Sequence, residues 1–366
     1  MVKKVIIGIS GGVDSSVAAL LLQEQGFSIV AVFMKNWEEE NNKDSSCSAA
    51  QDFADARAVC DKLHISLQVI NFSQEYWQRV FQYMLDEYAA GRTPNPDVMC
   101  NKEIKFKEFL NYAKTLNADY IATGHYARNI NVGDQCKLYK AIDLSKDQSY
   151  FLYTLGQQQL AYTLFPLGNI LKNDVRDIAK KVQLPNHDKK DSTGICFIGE
   201  RKFKKFLSEY LLAKPGEIVT VSGNILGKHD GLMFYTLGQR QGLGIGGKKG
   251  EQEAPWYVVK KDLTQNQLIV AQDSCHQLLM STSLQCNQVH WVIEKKPAFP
   301  LRCLAKIRYR QIEQPCVVTA EWIDGTEGSE QLYSVNFAQP QRAITPGQAV
   351  VFYAADGECL GGGTIM

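Results

Sequence analysis

At 366 residues, with 45% hydrophobic and 22% charged residues, the chain is too long for one ordinary core and predicts two or three globular domains. A formal net charge of +1 gives no global attraction to nucleic acid, so any RNA contact must come from local patches. No apolar run reaches membrane-spanning length, and Met1-Val2-Lys3-Lys4 leads into a strand without a secretory pattern; no membrane association and a cytoplasmic location are expected.

The spacing predicts a buried strand over 3–7, a helix over 17–25 stopped by Gly26, and a strand over 28–34, which together make one βαβ unit of a parallel sheet. Between the first two lies Gly8-Ile9-Ser10-Gly11-Gly12-Val13-Asp14-Ser15-Ser16. Glycines let backbone N–H groups approach a phosphate, the serines add hydroxyl donors, and the following helix dipole favours negative charge. A Walker A loop needs a Gly-Lys-Ser/Thr ending, and no lysine lies between Gly8 and Ser16. Gly8-Ile9-Ser10-Gly11-Gly12 satisfies the G-x-S-x-G nucleophile elbow, but that turn normally follows several strands and here seven residues precede it. Ser10-Gly11-Gly12-Val13-Asp14-Ser15 instead resembles the pyrophosphate loop of the adenylating ATP pyrophosphatases, the PP-loop enzymes. The bland reading, a glycine turn that merely joins strand to helix, leaves three serines and an aspartate unexplained.

A polar loop is expected over 36–46, then a helix through Ala50, Phe53, Ala58 and Leu63 and a strand through Leu67, Val69 and Phe72. Trp77, Val80, Phe81, Met84 and Tyr88 define the apolar face of the next helix, which Gly91 ends. Two prolines break the stretch 91–101, and the helical pattern resumes over 103–116, placing Cys100 at or just before a helix N-terminus. A strand within 119–127 ends in Thr123-Gly124-His125; the carboxyl ends of such strands bring Met34, Gly124 and the Ser10 loop together. A hairpin over 128–143, a helix opened by Lys146-Asp147-Gln148, a helix over 173–182 and a basic helix over 201–212 follow. Beyond Lys214-Pro215-Gly216 the pattern turns to short strands, including 232–235 and 302–309, read as a small central β domain and a C-terminal β-barrel. The expected fold is therefore an α/β doubly wound parallel sheet over 1–212, a central β domain over 213–283 and a β-barrel over 284–366. Gly242-Leu243-Gly244-Ile245-Gly246-Gly247 fits the dinucleotide fingerprint, but Lys248-Lys249-Gly250 follows it instead of a helix, so the phosphate-binding context is missing.

Ten cysteines are scattered without a C-x-x-C pair, which argues against a zinc ribbon, an iron–sulfur run or a disulfide framework, and no metal ligand set is expected. Cys100 stands out because a helix N-terminus with Lys102 and Lys105 nearby favours a thiolate, and Asp97 could exchange a proton. Cys196 follows the polar Ser192-Thr193-Gly194, although Ile195, Phe197 and Ile198 beside it look like core.

Four segments together resemble the bacterial tRNA-specific 2-thiouridylases: 8–16, Thr93-Pro94-Asn95-Pro96-Asp97-Val98-Met99-Cys100-Asn101, Ala122-Thr123-Gly124-His125-Tyr126, and Asp191-Ser192-Thr193-Gly194-Ile195-Cys196-Phe197-Ile198. The likeness covers the full length, with Lys146-Asp147-Gln148-Ser149-Tyr150 and Thr236-Leu237-Gly238-Gln239-Arg240 as further matches. It implies an enzyme that uses ATP and Mg²⁺ to adenylate the C2 oxygen of a wobble uridine in the tRNA anticodon stem-loop, then replaces that oxygen with sulfur. By the same likeness, Gly8, Ile9, Ser10, Gly11, Gly12, Val13, Asp14, Ser15, Met34 and Gly124 hold ATP. Asn95, Pro96 and Asp97 hold the flipped base, with Asp97 as acid/base. Cys196 carries a persulfide and Cys100 attacks it, so both thiols must be reachable and a Cys100–Cys196 disulfide forms in each turnover. His125, Lys146, Asp147, Gln148, Arg308, Tyr309 and Gln341 are implied to face tRNA; Arg308 and Tyr309 suit that as a charge-and-stacking pair, or else form one face of an exposed strand. A sulfur-carrier or cysteine desulfurase protein is the implied donor, and a monomer is expected. The rival readings are an amide-forming PP-loop synthetase, which needs neither thiol, a serine hydrolase at Ser10, and a non-catalytic RNA-binding module.

Overall fold

The computed structural model describes residues 2–37, 46–191, 203–245, 254–293, 295–322 and 331–366. Cys196, with Ser192, Thr193, Gly194 and the start of the basic segment at Arg201 and Lys202, lies outside the described residues, as do Gly246 and Gly247.

Five parallel strands form the N-terminal sheet: Lys4–Gly8 (β1), Ser28–Lys35 (β2), Ser66–Asn71 (β3), Tyr120–Ala122 (β4) and Thr163–Leu164 (β7, after the Ala127–Val132 and Gln135–Lys140 hairpin, β5 and β6). The order is β3-β2-β1-β4-β7, so the chain switches sides between β1 and β4. In open α/β sheets that switch point is where ligands bind, beyond the carboxyl ends of the strands. Val5, Ile6 and Ile7 are wholly buried because helices cover both faces. Val5 and Ile7 pack in the core shared with the Val13–Glu24 helix, while Ile6 packs with Met34, Cys100, Ile104 and Phe109 in the other.

Two helical runs, 73–89 and 96–115, lie on that second side. Each contains a π-wound stretch, Trp77–Phe81 and Asn101–Glu108. Trp77 departs from its expected core position: it is 39% exposed and stacks on Trp37 at the edge of the aromatic cluster. The second run starts at Pro96, earlier than the apolar pattern predicts. Asn95 caps it, its side-chain oxygen accepting from the Val98 N–H at 3.3 Å, and proline is at home in a first helical turn, where an N–H is unneeded. Cys100 therefore sits inside a helix and not at its opening.

The helix expected at Lys146-Asp147-Gln148 is absent; the chain makes turns and a 3-10 segment, Ser149–Phe151. The Asp147 carboxylate accepts from the Ala141 N–H, the Ser149 N–H and the Ser149 hydroxyl at 3.1, 3.2 and 2.8 Å, and such local bonding competes with helix. Among the described residues the basic helix is short, Phe203–Ser208.

The central sheet runs β10-β11-β8-β9, from Gly216–Thr220 (β8), Ile225–His229 (β9), Trp256–Asp262 (β10) and Gln267–Gln272 (β11). The strand expected over 232–235 is a 3-10 turn, Leu232–Phe234. The last six strands, Met280–Trp291 (β12), Leu301–Lys306 (β13), Gln314–Trp322 (β14), Gln331–Arg342 (β15), Ala349–Tyr353 (β16) and Cys359–Ile365 (β17), close into a barrel. β13 stops at Lys306, so Arg308 and Tyr309 lie in the turn after it and not on a strand face. β17 carries three successive glycines, and a methyl at Gly362 would stand 2.9 Å from the Tyr153 ring, so this strand lets the first domain pack against the barrel. The Tyr150 hydroxyl donates to the Ala349 carbonyl at 2.8 Å across the same junction. Among the described residues no helix is long and apolar enough to cross a membrane.

Candidate active site

The turn after β1 is a tight corner closed by its own serines, the Ser10 N–H donating to the Ser15 hydroxyl at 3.2 Å and that hydroxyl to the Gly12 carbonyl at 3.1 Å. Gly11 is left-handed at φ +75°, and a side chain there would strike the Asp52 carbonyl. The Gly11 carbonyl is held from behind by the Asn186 amide at 2.9 Å and the Lys189 ammonium at 3.2 Å. Because the peptide is planar and trans, pinning that oxygen turns the Gly12 N–H to the opposite side. There it meets the Ser10 hydroxyl at 3.4 Å, which shares a 3.2 Å bond with the Ser15 hydroxyl. Gly12 caps the Val13–Glu24 helix without a side-chain hydrogen bond to the first turn. Such an N-terminus presents unpaired N–H groups and positive dipole to an anion.

Gly124 closes the other wall. A methyl there would lie 2.7 Å from the Ser15 nitrogen, so β4 and the turn touch through bare backbone. Gly8 likewise faces Met34, with 3.1 Å left for a methyl beside its Cε, and Phe109 lies next to it. The loop residues Gly8, Ile9, Ser10, Gly11, Gly12, Val13, Asp14 and Ser15 thus converge with Met34 and Gly124.

Beside the turn stands an ion network. The Lys172 ammonium, on a side chain 7% exposed, donates to both Asp14 carboxylate oxygens at 2.6 and 2.8 Å and pairs with Asp191 at 2.8 Å. The Tyr126 hydroxyl also donates to Asp14 at 2.8 Å, and burial, then the Asp14 charge, raises its pKa so that it stays a donor. Asp191 collects Lys146 and Arg176 as well, at 2.9 and 2.8 Å. Lys189 pairs with Asp52 at 2.7 Å and with Asp55. Sequence reasoning missed Tyr126, Lys172, Asn186 and Lys189. The polar cluster around Pro185-Asn186-His187-Asp188-Lys189 was a signal, since so polar a stretch after a helix asks for a partner; Lys172 gave none.

Burial alone would raise the Asp191 pKa, but hydrogen bonds from Lys146 and Lys172 outweigh it and hold the carboxyl at about 2. With its folded value below the ordinary ~3.9, Asp191 contributes stability above that pH and loses it as pH falls through its folded value. The urea midpoint of Asp191→Asn is therefore expected to lie below that of the parent near neutrality, with the gap closing between about pH 4 and about pH 2. A gap that does not change with pH would contradict this.

The thiol helix brings Asn95, Pro96, Asp97 and Cys100 onto one helical turn and a half. Cys100 shares its packed cluster with Met34 and Phe109, so it lies on the side of the sheet toward which Gly8 opens. The expectation of a reachable thiol is not met: Cys100 is 0% exposed. Next to it, the Asn101 amide donates to the Phe151 carbonyl at 3.1 Å while its oxygen is buried without a partner, and both amide atoms of Asn36, just beyond Met34, are buried and unpartnered. Polar orphans of this kind mark places where a ligand or water completes the bonding.

The residues expected against tRNA divide into two groups. Lys146, Gln148, Arg308 and Tyr309 are half-buried, Tyr309 packing on Phe151 at 4.5 Å between ring centres. The side chains of His125, Asp147 and Gln341 are turned inward instead, because each finds its partners there. His125 bonds the Thr123 hydroxyl at 2.8 Å, and burial, then the Lys105 charge, drives its pKa well down, so it is neutral. The Gln341 oxygen accepts from the Gln311 amide at 2.8 Å. Arg308 donates to the Ala343 carbonyl at 2.9 Å, tying the β13 turn to the end of β15.

A glycine-and-serine turn that opens a helix at the switch point of a parallel sheet defines a nucleotide-binding α/β domain of the PP-loop class, carried here with two β domains. Family profiles match in the same chain order: a "tRNA methyl transferase HUP domain" over residues 3–200, a "tRNA methyl transferase PRC-barrel domain" over 204–272 and an "Aminomethyltransferase beta-barrel domain" over 281–365. The tRNA-specific 2-thiouridylase MnmA of Francisella tularensis subsp. holarctica (strain LVS) is 59% identical over 365 residues, covering 100% of this chain and 99% of its own. That of Legionella pneumophila (strain Lens) is 56% identical with the same coverage. The chain belongs to the tRNA-specific 2-thiouridylase family, and so to the tRNA sulfurtransferases. Among solved structures, a 4-thiouridine synthetase–RNA complex with bound ATP is similar at 17% identity and TM-score 0.36, over 57% of this chain and 50% of that one. A likeness so slight adds nothing to the assignment.

Proposed function

We propose that this enzyme is an ATP-dependent tRNA 2-thiouridylase that adenylates the C2 oxygen of the wobble uridine and replaces it with persulfide sulfur. The observation that carries the reading is the placement of Cys100 and Met34 in one cluster against the strand that ends in the uncapped Ser10–Gly12 turn. A urea-like carbonyl oxygen is a poor leaving group and AMP a good one, which is why a thiol and a polyphosphate grip belong at one site. The methyl transfer named by the profiles asks for no polyphosphate grip.

The turn residues Gly8 to Ser15, with Met34 and Gly124, bind and orient ATP; the bare N–H groups and the Ser10 and Ser15 hydroxyls take its phosphates. Among the described residues no group of three or more His, Cys, Asp or Glu could hold a metal ion. Mg²⁺ would therefore arrive on the phosphates, with Asp14 as the nearest carboxylate of the turn, and would neutralise phosphate charge there. Asn95, Pro96 and Asp97 hold the extruded base, with Asp97 moving a proton at it.

In the sulfur step the terminal sulfur of a Cys196 persulfide bonds to C2, and the C2–O bond breaks with its electron pair leaving on AMP. The Cys100 thiolate attacks the inner sulfur of Cys196, the S–S bond breaks toward the transferred sulfur, and a Cys100–Cys196 disulfide remains. A dithiol reductant resets it, and a persulfide-carrying protein reloads Cys196. Because Cys100 is buried in the free chain, docking of tRNA has to uncover it. Lys146, Gln148, Arg308 and Tyr309 contact that tRNA, while His125, Asp147 and Gln341 shape the surface from behind. The same reading divides the chain at 1–212, 213–283 and 284–366 into catalytic, connecting and tRNA-contacting parts, working as a monomer.

Incubation with a ³⁵S-labelled persulfide donor, ATP and an unmodified tRNA transcript, followed by nucleoside analysis, is expected to give labelled 2-thiouridine that requires ATP. No labelled nucleoside from a folded preparation would overturn the reading.

A further inference from the structure

We infer that Gln348 is a positioning residue for the reaction: from the C-terminal barrel it fixes the two carbonyls that precede Asn95, and thereby sets where Asn95, Asp97 and Cys100 stand. This rests on the functional reading above and extends it to a residue outside the α/β domain.

The stretch 90–95, between the two helical runs, has little regular structure to hold it. Pro94 and Pro96 contribute no N–H, which deprives the segment of donors. Its first half is held by the preceding helix, the Arg92 N–H donating to the Glu87 carbonyl at 2.9 Å, but Thr93 and Pro94 are anchored from the other end of the chain. The Gln348 side-chain amide donates to the Thr93 carbonyl at 2.9 Å and to the Pro94 carbonyl at 3.0 Å. The Thr93 N–H donates in turn to the Pro346 carbonyl at 2.9 Å, and the Thr93 hydroxyl shares a 3.3 Å bond with that of Thr236 in the central domain. Gly347 is left-handed at φ +90°, and a methyl there would stand 2.9 Å from the Thr93 carbonyl oxygen, so the barrel turn fits against the loop with no room for a side chain. Gln348 is itself held, its backbone carbonyl accepting from the Ile365 N–H at 2.8 Å.

The clamp continues directly from the residues expected at tRNA. Gln341 lies in the last two residues of β15 and the Ala343 carbonyl just after it receives Arg308; Thr345, Pro346, Gly347 and Gln348 follow along one short segment. A tRNA held at the Arg308 turn is therefore registered against the loop that receives its base. Misplacing reacting groups by about 1 Å costs as much as ~100-fold in rate without touching the chemistry.

Gln348→Met keeps the volume and removes both donors; Gln348→Lys restores an ammonium that can serve two carbonyls. In single-turnover thiolation at saturating ATP and tRNA, Gln348→Met is expected to react about 10- to 100-fold more slowly, with tRNA and ATP dissociation constants within about twofold of the parent and most of the rate regained in Gln348→Lys. A parental rate in Gln348→Met, or a loss that tracks weaker tRNA binding and lower Tm and that lysine does not repair, would overturn the proposal. If the parent protein makes no 2-thiouridine, the functional reading itself fails, and amide hydrogen exchange at 98–101, measured without substrate, still decides the role of Gln348. Faster exchange in Gln348→Met supports the clamp, and unchanged exchange refutes it.

Discussion

Cys100→Ser is expected to abolish 2-thiouridine formation, by ~10³-fold or more, while tRNA-dependent ATP–pyrophosphate exchange persists. The two half-reactions use different parts of the molecule. Adenylation needs the turn after β1 and a base placed by Asn95, Pro96 and Asp97; a serine at position 100 preserves the helix begun at Pro96 and nearly the same volume in the cluster with Met34 and Phe109. Sulfur release needs a thiolate that can take Cys196 into a disulfide, and a hydroxyl cannot. Cys196→Ser is expected to behave alike, since it removes the sulfur carrier and leaves the grip on ATP. Loss of exchange together with thiolation in both variants, with tRNA still bound, would show that the thiols act before adenylation. Full thiolation in the double variant would refute the roles given to Cys100 and Cys196, because sulfur would then reach C2 without a protein persulfide.

Lys172→Met is expected to weaken equilibrium binding of ATP by about 30-fold, with tRNA binding unaffected. Removing one member of a buried pair leaves its partner's charge uncompensated, at ~3–5 kcal/mol when both are fully buried. That cost falls on folding; for ATP, with Asp14 about a third exposed, its freed charge repels a phosphate ~8 Å away by about 2 kcal/mol at an effective dielectric of ~20, which is the stated factor. The freed carboxylate stands in the turn that must accept polyphosphate and repels it. This argument also fixes a repair: Asp14→Asn combined with Lys172→Met removes both charges and should bind ATP more tightly than Lys172→Met alone. Equal weakness in single and double variants would mean that Lys172 acts by another route.

How much of this was visible in the residues depends on where the determinant lies. The turn was legible because glycines, serines and an aspartate at fixed spacing between a strand and a helix state their backbone geometry and their chemistry at once. The sheet around it was legible for the same local reason, Val5 to Ile7 and Ser28 to Met34 being apolar runs of strand length. The helix start at Pro96 was misplaced because Pro94 and Pro96 were read as breakers, whereas Pro96 occupies the first helical turn, where proline is tolerated, and Asn95 caps it. The turn at Asp147 was misread because its carboxylate's partners, Ala141 and Ser149, are set by the hairpin that brings them close. Three glycines argue against a strand, and β17 forms because it pairs with β12 and β16 to close the barrel, with Gly361 and Gly363 pressed against β12 and Gly362 against Val350 and Tyr153. Lys172 and Gln348 were invisible for a stronger reason, and at Asn186 and Lys189 the polar stretch signalled that a partner was needed without saying which. Each acts on a residue more than a hundred positions away, and no local pattern encodes that distance. Burial of Cys100 belongs to the same class, since the pattern marks a thiol near a helix start but does not say what packs over it.

The most direct measurement follows the fate of one oxygen atom. A tRNA carrying ¹⁸O at C2 of the wobble uridine, turned over with ATP and persulfide donor, is predicted to release AMP bearing one ¹⁸O, with pyrophosphate and water unlabelled. Label appearing in water or pyrophosphate, with unlabelled AMP, would contradict the claim that the uridine oxygen is carried off on the nucleotide gripped by the turn after β1.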